Sequence, residues 1–513
     1  MRFLKTSNYI YIQEVTPEQL MFVRRILCIE SEEFTGGGKT KVIEEFLIQE
    51  ENEDPKFFTG LLELVNRNLP ENSYELLDFE DKKIFDFIQF DETYLPGIIL
   101  RDDQVSSIRK CLRNPRGIVD LPTRTGKTEI FSGIVKLYQE NVSEINRVLI
   151  LEDGVRLMHQ TAERFKKRGI KSVGRLGDKK YEIDEQVVVC TIDSLYSYFQ
   201  KEESKEFIKS VKVVIIDEVQ HLAAQSYKSI VSTFEDLDIL LGFSGTPLEN
   251  RENPFLNPRD AAIIGCLHKT VVRISSQYFI DAGIISEPNV FFLNYDFKRI
   301  PVFIQNYQKV YDRFMVNNQK RNEVAVNIVK YCQPKDLSIL LSVRIVNHGK
   351  VLLSMLKGLP KVVFSFGGNT NISNYSKELE SLYSNKISDI IYEKDFETKF
   401  IYFSEDFDVE AEINSKRMTT LIGSSVFDEG RDIPNLDGIV LLAGGASHVK
   451  TIQRPARALT RSDTRTKSFI VDFEDDVHAY LKAHSKKRKQ LYINNSYKVF
   501  QGSADLVQFL NNL

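Results

Sequence analysis

The strongest constraint on this chain is the eight-residue stretch LPTRTGKT at residues 121–128, which lies between a short apolar run and a longer apolar segment. These apolar runs predict a strand before the stretch and a helix after it, which is the context that a phosphate-binding loop requires. In such a loop Gly126 lets the backbone approach phosphates and Lys127 supplies a positive charge. Thr128 can ligate Mg²⁺, and the helix N-terminus adds free N–H groups. Leu121 replaces the usual first glycine, so the rest of the chain has to decide the chemistry.

Composition excludes several classes of protein. The chain has 68 Lys and Arg against 72 Asp and Glu, a net charge of −4, so any surface for nucleic acid must be local. The five cysteines are scattered, which predicts a reducing compartment with neither a disulfide framework nor a zinc site. No signal-peptide pattern opens the chain, and no apolar run approaches the roughly 18 residues needed to span a bilayer. We therefore expect a cytoplasmic protein that does not contact a membrane.

Alternating strand and helix patterns predict the fold from about residue 97 to 285. Short β-branched or apolar runs, typical of buried parallel strands, alternate with helical patterns such as 155–165. The candidate strands are 148–151, 187–190, 213–217 and 239–243. This alternation predicts a doubly wound α/β domain with its chemistry at the carboxyl ends of the strands.

A long amphipathic pattern at 302–331 opens a second predicted α/β unit. Its candidate strands are 338–342, 362–366, 400–403, 420–423, 438–442 and 469–472. The first 90 residues have a mixed pattern instead. Their predicted elements are strands at 9–12 and 45–48 and helices at 17–26 and 60–65. The GGGKT stretch at 36–40 follows no buried strand, so we interpret it as a turn rather than a second phosphate loop.

The stretch VVIIDEVQ at residues 213–220 is an apolar strand that ends in two carboxylates. Asp217 at the strand end can hold Mg²⁺ opposite the Lys127 loop, and Glu218 is then placed to polarise an attacking water. Unpaired carboxylates are costly to desolvate, so this pair after a buried strand favours a catalytic site over a solvated loop.

These motifs together resemble a superfamily 2 helicase or translocase, over about residues 100–475. DEVQ at 217–220 stands in the place of the DEAD/DEAH box, and SGTP at 244–247 matches the Ser-Ala-Thr motif that couples the ATP site to strand binding. Three further segments of the first unit match the adenine-reading segment and two nucleic-acid-contacting segments: 100–104, 152–160 and 191–195. In the second unit the fourth, fifth and sixth motifs are matched by 338–342, 424–434 and 453–461.

The resemblance implies a set of site residues for ATP, Mg²⁺ and nucleic acid. The implied catalytic residues are Lys127, Asp217, Glu218, Gln220, Arg457 and Arg461. The implied ATP contacts are Arg101, Gln104, Pro122, Thr123, Arg124, Thr125, Gly126, Lys127, Thr128, Gly430, Asp432 and Gln453. Nucleic acid is expected at Arg156, Thr191 and Ser424, and Mg²⁺ at Thr128 and Asp217.

The sixth motif of the family supplies arginine fingers across the cleft between two domains. A guanidinium that reaches the γ-phosphate from another domain stabilises the transition state only when the cleft closes, which couples hydrolysis to movement. This chain has Ala456 where glycine is usual, and Arg461 comes four residues after Arg457 instead of three. On a regular helix that shift turns the guanidinium by about 100°, so the finger assignment depends first on Arg457.

Within the superfamily the chain best resembles the UvsW type and its XPB-like relatives, through the LPT-x-x-GKT loop, a small N-terminal domain and the Arg321-Asn322 pair. The implied fold is two tandem RecA-like, doubly wound parallel-sheet motor domains with a small α+β N-terminal domain. The expected domains are a nucleic-acid-binding domain (1–92), two motor domains (93–285 and 286–485) and a basic tail (486–513). The run at 486–489 is a candidate phosphate contact or a solvated helix end.

The implied activity is ATP-driven 3′-to-5′ remodelling of branched DNA, including fork regression, Holliday-junction branch migration and removal of RNA–DNA hybrids. Expected partners are ATP, Mg²⁺, branched or duplex DNA or an RNA–DNA hybrid, and replication or recombination proteins. The expected form is a monomer in the cytoplasm, or in the host cytoplasm if a phage encodes it.

Other functions rank lower on the sequence. A DNA-stimulated ATPase that switches or translocates without separating strands stays open, because Arg461 is displaced. An RNA helicase of the DEAD-box class is disfavoured by DEVQ, and a restriction translocase subunit by the lack of a visible nuclease. A small-molecule kinase needs neither a second α/β unit nor a Gln-Arg-x-x-Arg motif, and a structural protein needs no intact phosphate loop.

Overall fold

The computed structural model describes residues 1–35, 38–78, 89–234, 236–295, 306–365, 401–402, 413–423, 436–445, 451–452 and 467–513. The chain divides into two compact units, the first from Met1–Phe34 and Lys39–Ser275 and the second from Thr35–Gly38 and Ser276–Leu513. The domain boundaries proposed after residues 92, 285 and 485 stay predictions. Among the described residues, no helix combines the length and apolar character needed to cross a bilayer.

The N-terminal part of the first unit is a small α+β arrangement. Its elements are β1 (Arg2–Lys5), β2 (Tyr9–Gln13), α1 (Pro17–Ile26), β3 (Cys28–Thr35), β4 (Gly38–Glu45), β5 (Lys56–Phe58), α2 (Leu62–Asn68) and β6 (Glu75–Asp78). Four strands form a sheet in the order β5-β2-β1-β6, and β3 pairs with β4. The predicted helix at 17–26 is confirmed, because Thr16 and Gln19 form a capping box and Pro17 occupies the first turn. The predicted strand at 45–48 is wrong, since β4 ends at Glu45 and only Ile48 forms an isolated bridge.

This N-terminal part packs against the α/β part of the same unit through side-chain hydrogen bonds to backbone carbonyls and through a close approach of the two backbones. Arg116 donates hydrogen bonds to the Ser7 carbonyl, to Asn8 Oδ1 at 2.6 Å and to the Cys266 carbonyl at 3.1 Å. At Gly60 the two parts approach so closely that an added Cβ would lie 1.8 Å from the Ile264 carbonyl oxygen. The side chains on both sides belong to one continuous hydrophobic core.

Replacing Gly60 by alanine should loosen this attachment, because backbone rather than a flexible side chain blocks the added methyl group. Overpacking of this kind costs about 1–3 kcal/mol or more. We expect faster amide hydrogen exchange across residues 1–78 in the Gly60→Ala protein than in the wild type. Gly154→Ala is the matched control, since a Cβ there meets nothing within 4 Å. Equal exchange in the Gly60→Ala and Gly154→Ala proteins would show that the contact is not tight.

The remainder of the first unit is a doubly wound α/β domain, which confirms the predicted fold class. Its helices are α3 (Asp102–Arg113), α4 (Lys127–Asn141), α5 (Val155–Lys167), α6 (Ile192–Phe199), α7 (Ser204–Ser210), α8 (Gln225–Thr233) and α9 (Pro258–Leu267). Its strands are β7 (Arg116–Asp120), β8 (Arg147–Glu152), β9 (Val173–Gly177), β10 (Lys180–Tyr181), β11 (Val187–Thr191), β12 (Val211–Asp217), β13 (Ile239–Ser244) and β14 (Thr270–Arg273).

The sheet of this domain has the order β10-β9-β11-β8-β12-β13-β7-β14, and every pairing except β10 with β9 is parallel. All four predicted strands are present, because runs of Val, Ile and Leu suit strands that are buried on both faces. The register pairs Asp217 with Phe243 and Ser244 with Asp120. The carboxyl ends of β12, β13 and β7 therefore meet at one edge of the sheet.

The second unit is built on another parallel sheet, in the order β18-β17-β19-β16-β20-β21-β15-β22. Its strands are β15 (Glu287–Leu293), β16 (Ile339–Ser342), β17 (Val362–Ser365), β18 (Ile401–Tyr402), β19 (Thr420–Gly423), β20 (Gly438–Leu441), β21 (Lys467–Phe473) and β22 (Lys498–Gln501). Its helices are α10 (Ser276–Asp281), α11 (Tyr307–Tyr311), α12 (Gln319–Cys332), α13 (Val346–Met355), α14 (Ala479–Asn494) and α15 (Ser503–Asn511). Each of the six predicted strands has a counterpart.

The amphipathic pattern at 302–331 is not one helix in the described residues. Helix α11 passes into a π-helical turn at Asp312–Val316, and α12 begins only at Gln319. Asn318 accepts a hydrogen bond from the Arg321 amide and so caps a new helix. Asparagine at this position favours a helix start over a helix interior, which the hydrophobic spacing alone does not reveal.

The basic run at 486–489 is largely used inside the second unit. Arg488 is buried and donates to both carboxylate oxygens of Asp472, each at 2.8 Å. Lys489 Nζ lies 2.6 Å from Gln501 Oε1. The interpretation of Arg488 as a phosphate contact is wrong, because its guanidinium neutralises a carboxylate on β21. Beyond residue 486, the chain continues α14 and then adds β22 to the sheet beside β15.

Arg321 and Arg488 share a buried network at the carboxyl ends of β20 and β21. Arg321 Nε donates to Asp475 Oδ1 at 3.0 Å, and its other nitrogens reach the Leu441 and Leu442 carbonyls. Arg488 lies 3.4 Å from the other oxygen of Asp475. Two arginines therefore balance two aspartates in the interior, and each charge depends on its partners.

Candidate nucleotide-binding site

The phosphate loop lies between the end of β7 and the start of α4 at Lys127. Gly126 has φ +86°, a left-handed conformation that favours glycine, and an added Cβ would lie 2.4 Å from Gln104 Nε2. Lys127 is only 9% exposed. Strand, loop and helix thus occur in the predicted order, an arrangement in which a helix N-terminus faces a bound anion.

Arg101 and Gln104 brace this loop from the start of α3. Arg101 Nη2 donates to the Thr125 carbonyl at 2.5 Å, and Gln104 Nε2 lies 3.4 Å from the Gly126 carbonyl. Gln104 Oε1 also accepts from the Arg101 amide at 3.0 Å. The structure therefore places both predicted adenine contacts directly beside the loop, where Thr125 Oγ1 in turn donates to the Pro122 carbonyl at 2.8 Å. Thr123 and Arg124 form the half-buried turn of the loop, and half-buried Thr128 lies in the first turn of α4.

The two carboxylates predicted at the end of β12 share this edge of the sheet. Burial and, after it, the charge of Glu218 raise the pKa of Asp217 to about 6, with Lys127 opposing the rise. Glu218 has φ +49°, an uncommon conformation for a non-glycine residue, and its amide donates to Asp217 Oδ1 at 3.0 Å. Lys127, Asp217 and Glu218 therefore interact electrostatically within one small site.

Gln220 connects Glu218 to the SGTP segment. Its Nε2 donates to Glu218 Oε2 at 2.9 Å, and its Oε1 accepts from Ser244 Oγ at 2.5 Å. Ser244 Oγ also accepts from the Thr246 amide at 2.9 Å. A displacement of the segment at Ser244 would therefore change the position of the Glu218 carboxylate through a single side chain.

A buried ion-pair cluster behind the loop was not foreseen from the sequence. Asp120 is 3% exposed and directly precedes the loop. Its carboxylate accepts a hydrogen bond from Arg251 Nη2 at 3.0 Å and one from Arg273 Nε at 3.0 Å, and Arg251 Nε lies 2.9 Å from it as an ion pair. Arg251 also donates to the Gly245 carbonyl at 3.1 Å. The charged residue that ends the apolar strand was the available signal, but its partners are remote in sequence.

The residues predicted to contact nucleic acid lie apart from this cluster, at the ends of β8 and β11. Arg156 is exposed in the first turn of α5, and Thr191 Oγ1 donates to Ser194 Oγ at 2.9 Å. Glu152, which opens the predicted segment 152–160, is instead buried and accepts from Thr161 Oγ1 at 2.6 Å. Burial raises the pKa of Glu152 well above its ordinary value, with the charge of Asp217 adding to the effect. Its carboxyl group cannot reach a nucleic-acid backbone in this arrangement.

Several predicted site residues lie outside the described part of the chain. They are Ser424, Gly430, Asp432, Gln453, Arg457 and Arg461. Their assignments stay predictions from the sequence.

The comparisons with known proteins bear on this geometry. Residues 97–249 match the family described as "Type III restriction enzyme, res subunit". Putative helicase 22 of Sulfolobus islandicus filamentous virus is 25% identical over 442 residues, covering 81% of this chain and 71% of the viral protein. The ATP-dependent DNA helicase UvsW of Enterobacteria phage T4 is 23% identical over 404 residues, covering 76% of this chain and 71% of UvsW. By these similarities the chain is an ATP-dependent helicase, and its motifs resemble those of superfamily 2.

The fold of this helicase is also similar to that of a solved helicase structure. The crystal structure of the DUF1998 helicase MrfA bound to DNA superposes with a TM-score of 0.51 at 15% identity, covering 80% of this chain and 50% of that one. The two parallel sheets of the helicase are its tandem RecA-like domains, as predicted. The family match spans the phosphate loop, the DEVQ segment and the SGTP segment, so the described site lies within the matched region.

Proposed function

We propose that this helicase uses ATP hydrolysis to remodel branched DNA, by fork regression, Holliday-junction branch migration and R-loop removal, moving 3′ to 5′. The observation that carries the motor part of this proposal is the continuous hydrogen-bonded path Glu218–Gln220–Ser244. It joins the water-polarising carboxylate to the segment that in family members responds to nucleic acid. The proposed preference for branched DNA rests on the sequence resemblance to the UvsW type.

In the proposed mechanism Lys127 and the loop amides hold the β- and γ-phosphates, and Glu218 polarises the attacking water. Asp217 and Thr128 would hold Mg²⁺, and this fits the donor set. Asp217 is half-buried beside the Glu218 carboxylate, so a divalent cation would offset the repulsion between the two charges. The Asp217 carboxylate and the Thr128 hydroxyl supply only two ligands, which suits an ion that is also held by phosphates. When bound, Mg²⁺ would offset the negative charge that develops on the phosphates.

The second motor domain completes the proposed site through residues assigned from the sequence. Arg457, with Arg461, would act as arginine fingers, and Gly430, Asp432 and Gln453 would contact ATP. Removal of an arginine finger typically lowers turnover by 10³-fold or more. Hydrolysis would then depend on closure between the two domains.

DNA is the proposed partner, with Arg156, Thr191 and Ser424 on its path and the N-terminal domain as an additional binding element. Residues 1–92, 93–285 and 286–485 are the proposed N-terminal and motor domains. We further propose a cytoplasmic monomer that works with replication or recombination proteins.

The test is the ATPase rate without nucleic acid and with single-stranded DNA, duplex DNA, a four-way junction, an RNA–DNA hybrid and RNA, each with a strand-displacement readout. Strongest stimulation by the junction, together with branch migration, is the expected result. Stimulation by RNA alone would replace the proposal with an RNA helicase. DNA-stimulated turnover without displaced strands would replace it with an ATPase switch or translocase.

A further inference from the structure

A groove of about 950 Å³ lies within the first unit, between the N-terminal part and the edge of the first sheet. The N-terminal part contributes Lys5–Ser7 and Thr59–Gly60 to its lining, and the α/β part contributes Arg113–Arg116, His268–Thr270 and Arg273. Because both walls belong to one compact unit, the groove is a fixed feature of that unit.

The lining of this groove is positively charged, with seven Lys or Arg side chains against four Asp or Glu. Three of the acidic side chains have partners: Glu63 pairs with Arg67, Asp236 with Lys212, and Asp238 accepts from Tyr138. Most of the acidic charge in the groove is therefore already balanced or hydrogen-bonded.

Two exposed cations of the groove are not engaged elsewhere. Over the described part of the chain, the side chains of Arg113 and Lys269 make neither an ion pair nor a hydrogen bond. The neighbouring imidazole of His268 lies in the same positively charged environment. Burial and, after it, the positive charges of Arg116, Lys5 and Lys269 lower the pKa of His268 to about 3. An anion in the groove would meet positive charge from both walls.

The position of the groove separates it from the predicted nucleic-acid path over the motor domain. Arg156 and Thr191 follow β8 and β11, on one side of β12 in the sheet. The groove borders β7 and β14, which lie on the other side and include the terminal strand β14. Hydroxyl side chains, of the kind that accompany lysine and arginine at phosphates, line it at Thr6, Ser7, Thr59 and Thr270, and those of Thr6 and Thr59 already donate to carbonyls of the N-terminal part.

The groove also has a direct connection to the phosphate loop. Arg251 and Arg273 line it, and the same two guanidinium groups hold the buried carboxylate of Asp120. A phosphate in the groove would compete with Asp120 for these donors. Because Asp120 is followed at once by the loop, such competition would be a coupling between groove and ATP site.

We propose that this groove binds the sugar-phosphate backbone of a nucleic acid, and that Arg251, Arg273 and Asp120 transmit its occupancy to the phosphate loop. The proposal rests on the proposed function, since it assumes a nucleic-acid substrate. It adds a second contact surface, formed jointly by the N-terminal part and the first motor domain. The partner is recognised by its phosphates, without base readout.

The first experiment replaces Arg113 and Lys269 together by glutamine and measures duplex-DNA affinity by fluorescence anisotropy over a range of salt concentrations. Loss of two phosphate contacts should reduce the slope of log affinity against log salt by about 1.5 to 2. The DNA concentration for half-maximal ATPase stimulation should rise roughly tenfold at moderate salt. Basal turnover should not change, because neither residue belongs to the nucleotide site. Lys167→Gln with Lys209→Gln is the matched control, since both lysines are exposed on other helices of the unit.

An unchanged salt slope in the Arg113→Gln, Lys269→Gln protein, while DNA still stimulates the wild type, would overturn the groove proposal alone. Absence of any DNA stimulation in the wild type would instead overturn the proposed function. A free nucleotide is the other possible source of phosphate in the groove, and calorimetry with ADP tests for it. Two bound nucleotides in the wild type and one in the variant would mean that the groove holds a free nucleotide, and would overturn the proposal.

The connection to the loop is tested with Asp120→Asn, which keeps the shape of the side chain and removes its charge. We expect a salt slope like that of the wild type but a several-fold smaller stimulation at saturating DNA. Full stimulation in this variant would show that Asp120 transmits nothing. Circular dichroism and the retained DNA affinity together establish that the variant is folded.

Discussion

Replacing Lys127 by alanine should lower ATP turnover by about 10²–10³-fold or more, with and without DNA. Lys127 opens α4 beside the loop, and its charge acts on Asp217, so its loss removes the cation that faces both the phosphates and the acidic pair. The measurement is steady-state phosphate release at saturating ATP. DNA affinity should stay within about threefold of the wild type, because the predicted DNA contacts lie on other strands.

Lys136→Ala provides the matched control for that experiment, since Lys136 is on the same helix and pairs with Glu140 at 3.0 Å, away from the loop. It should keep most of the wild-type turnover. Wild-type turnover in the Lys127→Ala protein would remove the basis for the site assignment. Loss of turnover in both variants would point to damage to α4 rather than to lost chemistry.

Replacing Arg321 by alanine should lower the free energy of unfolding of the second unit by about 3–5 kcal/mol. Arg321 is fully buried, pairs with Asp475 and donates to two carbonyls at the end of β20. It also stacks over Phe473, with its guanidinium carbon 4.2 Å from the ring centre. Without the Arg321 guanidinium, Asp475 keeps only its longer ion pair with Arg488, and a cavity opens among these groups.

Urea denaturation followed by circular dichroism measures this effect. Lys320→Ala is the matched control one residue away, where an exposed i,i+3 pair with Glu323 contributes less than about 1 kcal/mol. Arg321→Lys should fall between the two, since it restores the charge but not the branched set of donors. If Arg321→Ala and Lys320→Ala unfold at the same urea concentration, the buried network does not stabilise the unit.

Local sequence patterns were sufficient to predict much of the fold. The strands of both sheets can be recognised in the sequence as short apolar runs, because parallel strands are buried on both faces. The pattern at 302–331 was misleading, since hydrophobic spacing continues across a break that Asn318 introduces by capping a new helix. The basic run at 486–489 was also misleading, because the partner of Arg488 is Asp472, on a strand that only the folded chain brings near.

The nucleotide site shows the same division between local and remote information. Lys127, Asp217 and Glu218 belong to short motifs, so their proximity could be predicted from the loop and strand that carry them. Asp120 could not be placed in the same way, since Arg251 and Arg273 are 131 and 153 residues further along the chain. The path through Gln220 to Ser244 likewise requires two neighbouring strands to be in register.

The close approach at Gly60 means that, on that side, the first motor domain buries apolar side chains against the N-terminal part. Phe57, Phe58 and Leu61 share a single hydrophobic core with Ile264 and its neighbours on α9. A shortened chain beginning at residue 93 would turn this interior outward and should precipitate at concentrations where the full chain stays dissolved. Heterologous expression of the isolated ATPase domain would therefore call for polar substitutions on α9 before its enzymology could be studied.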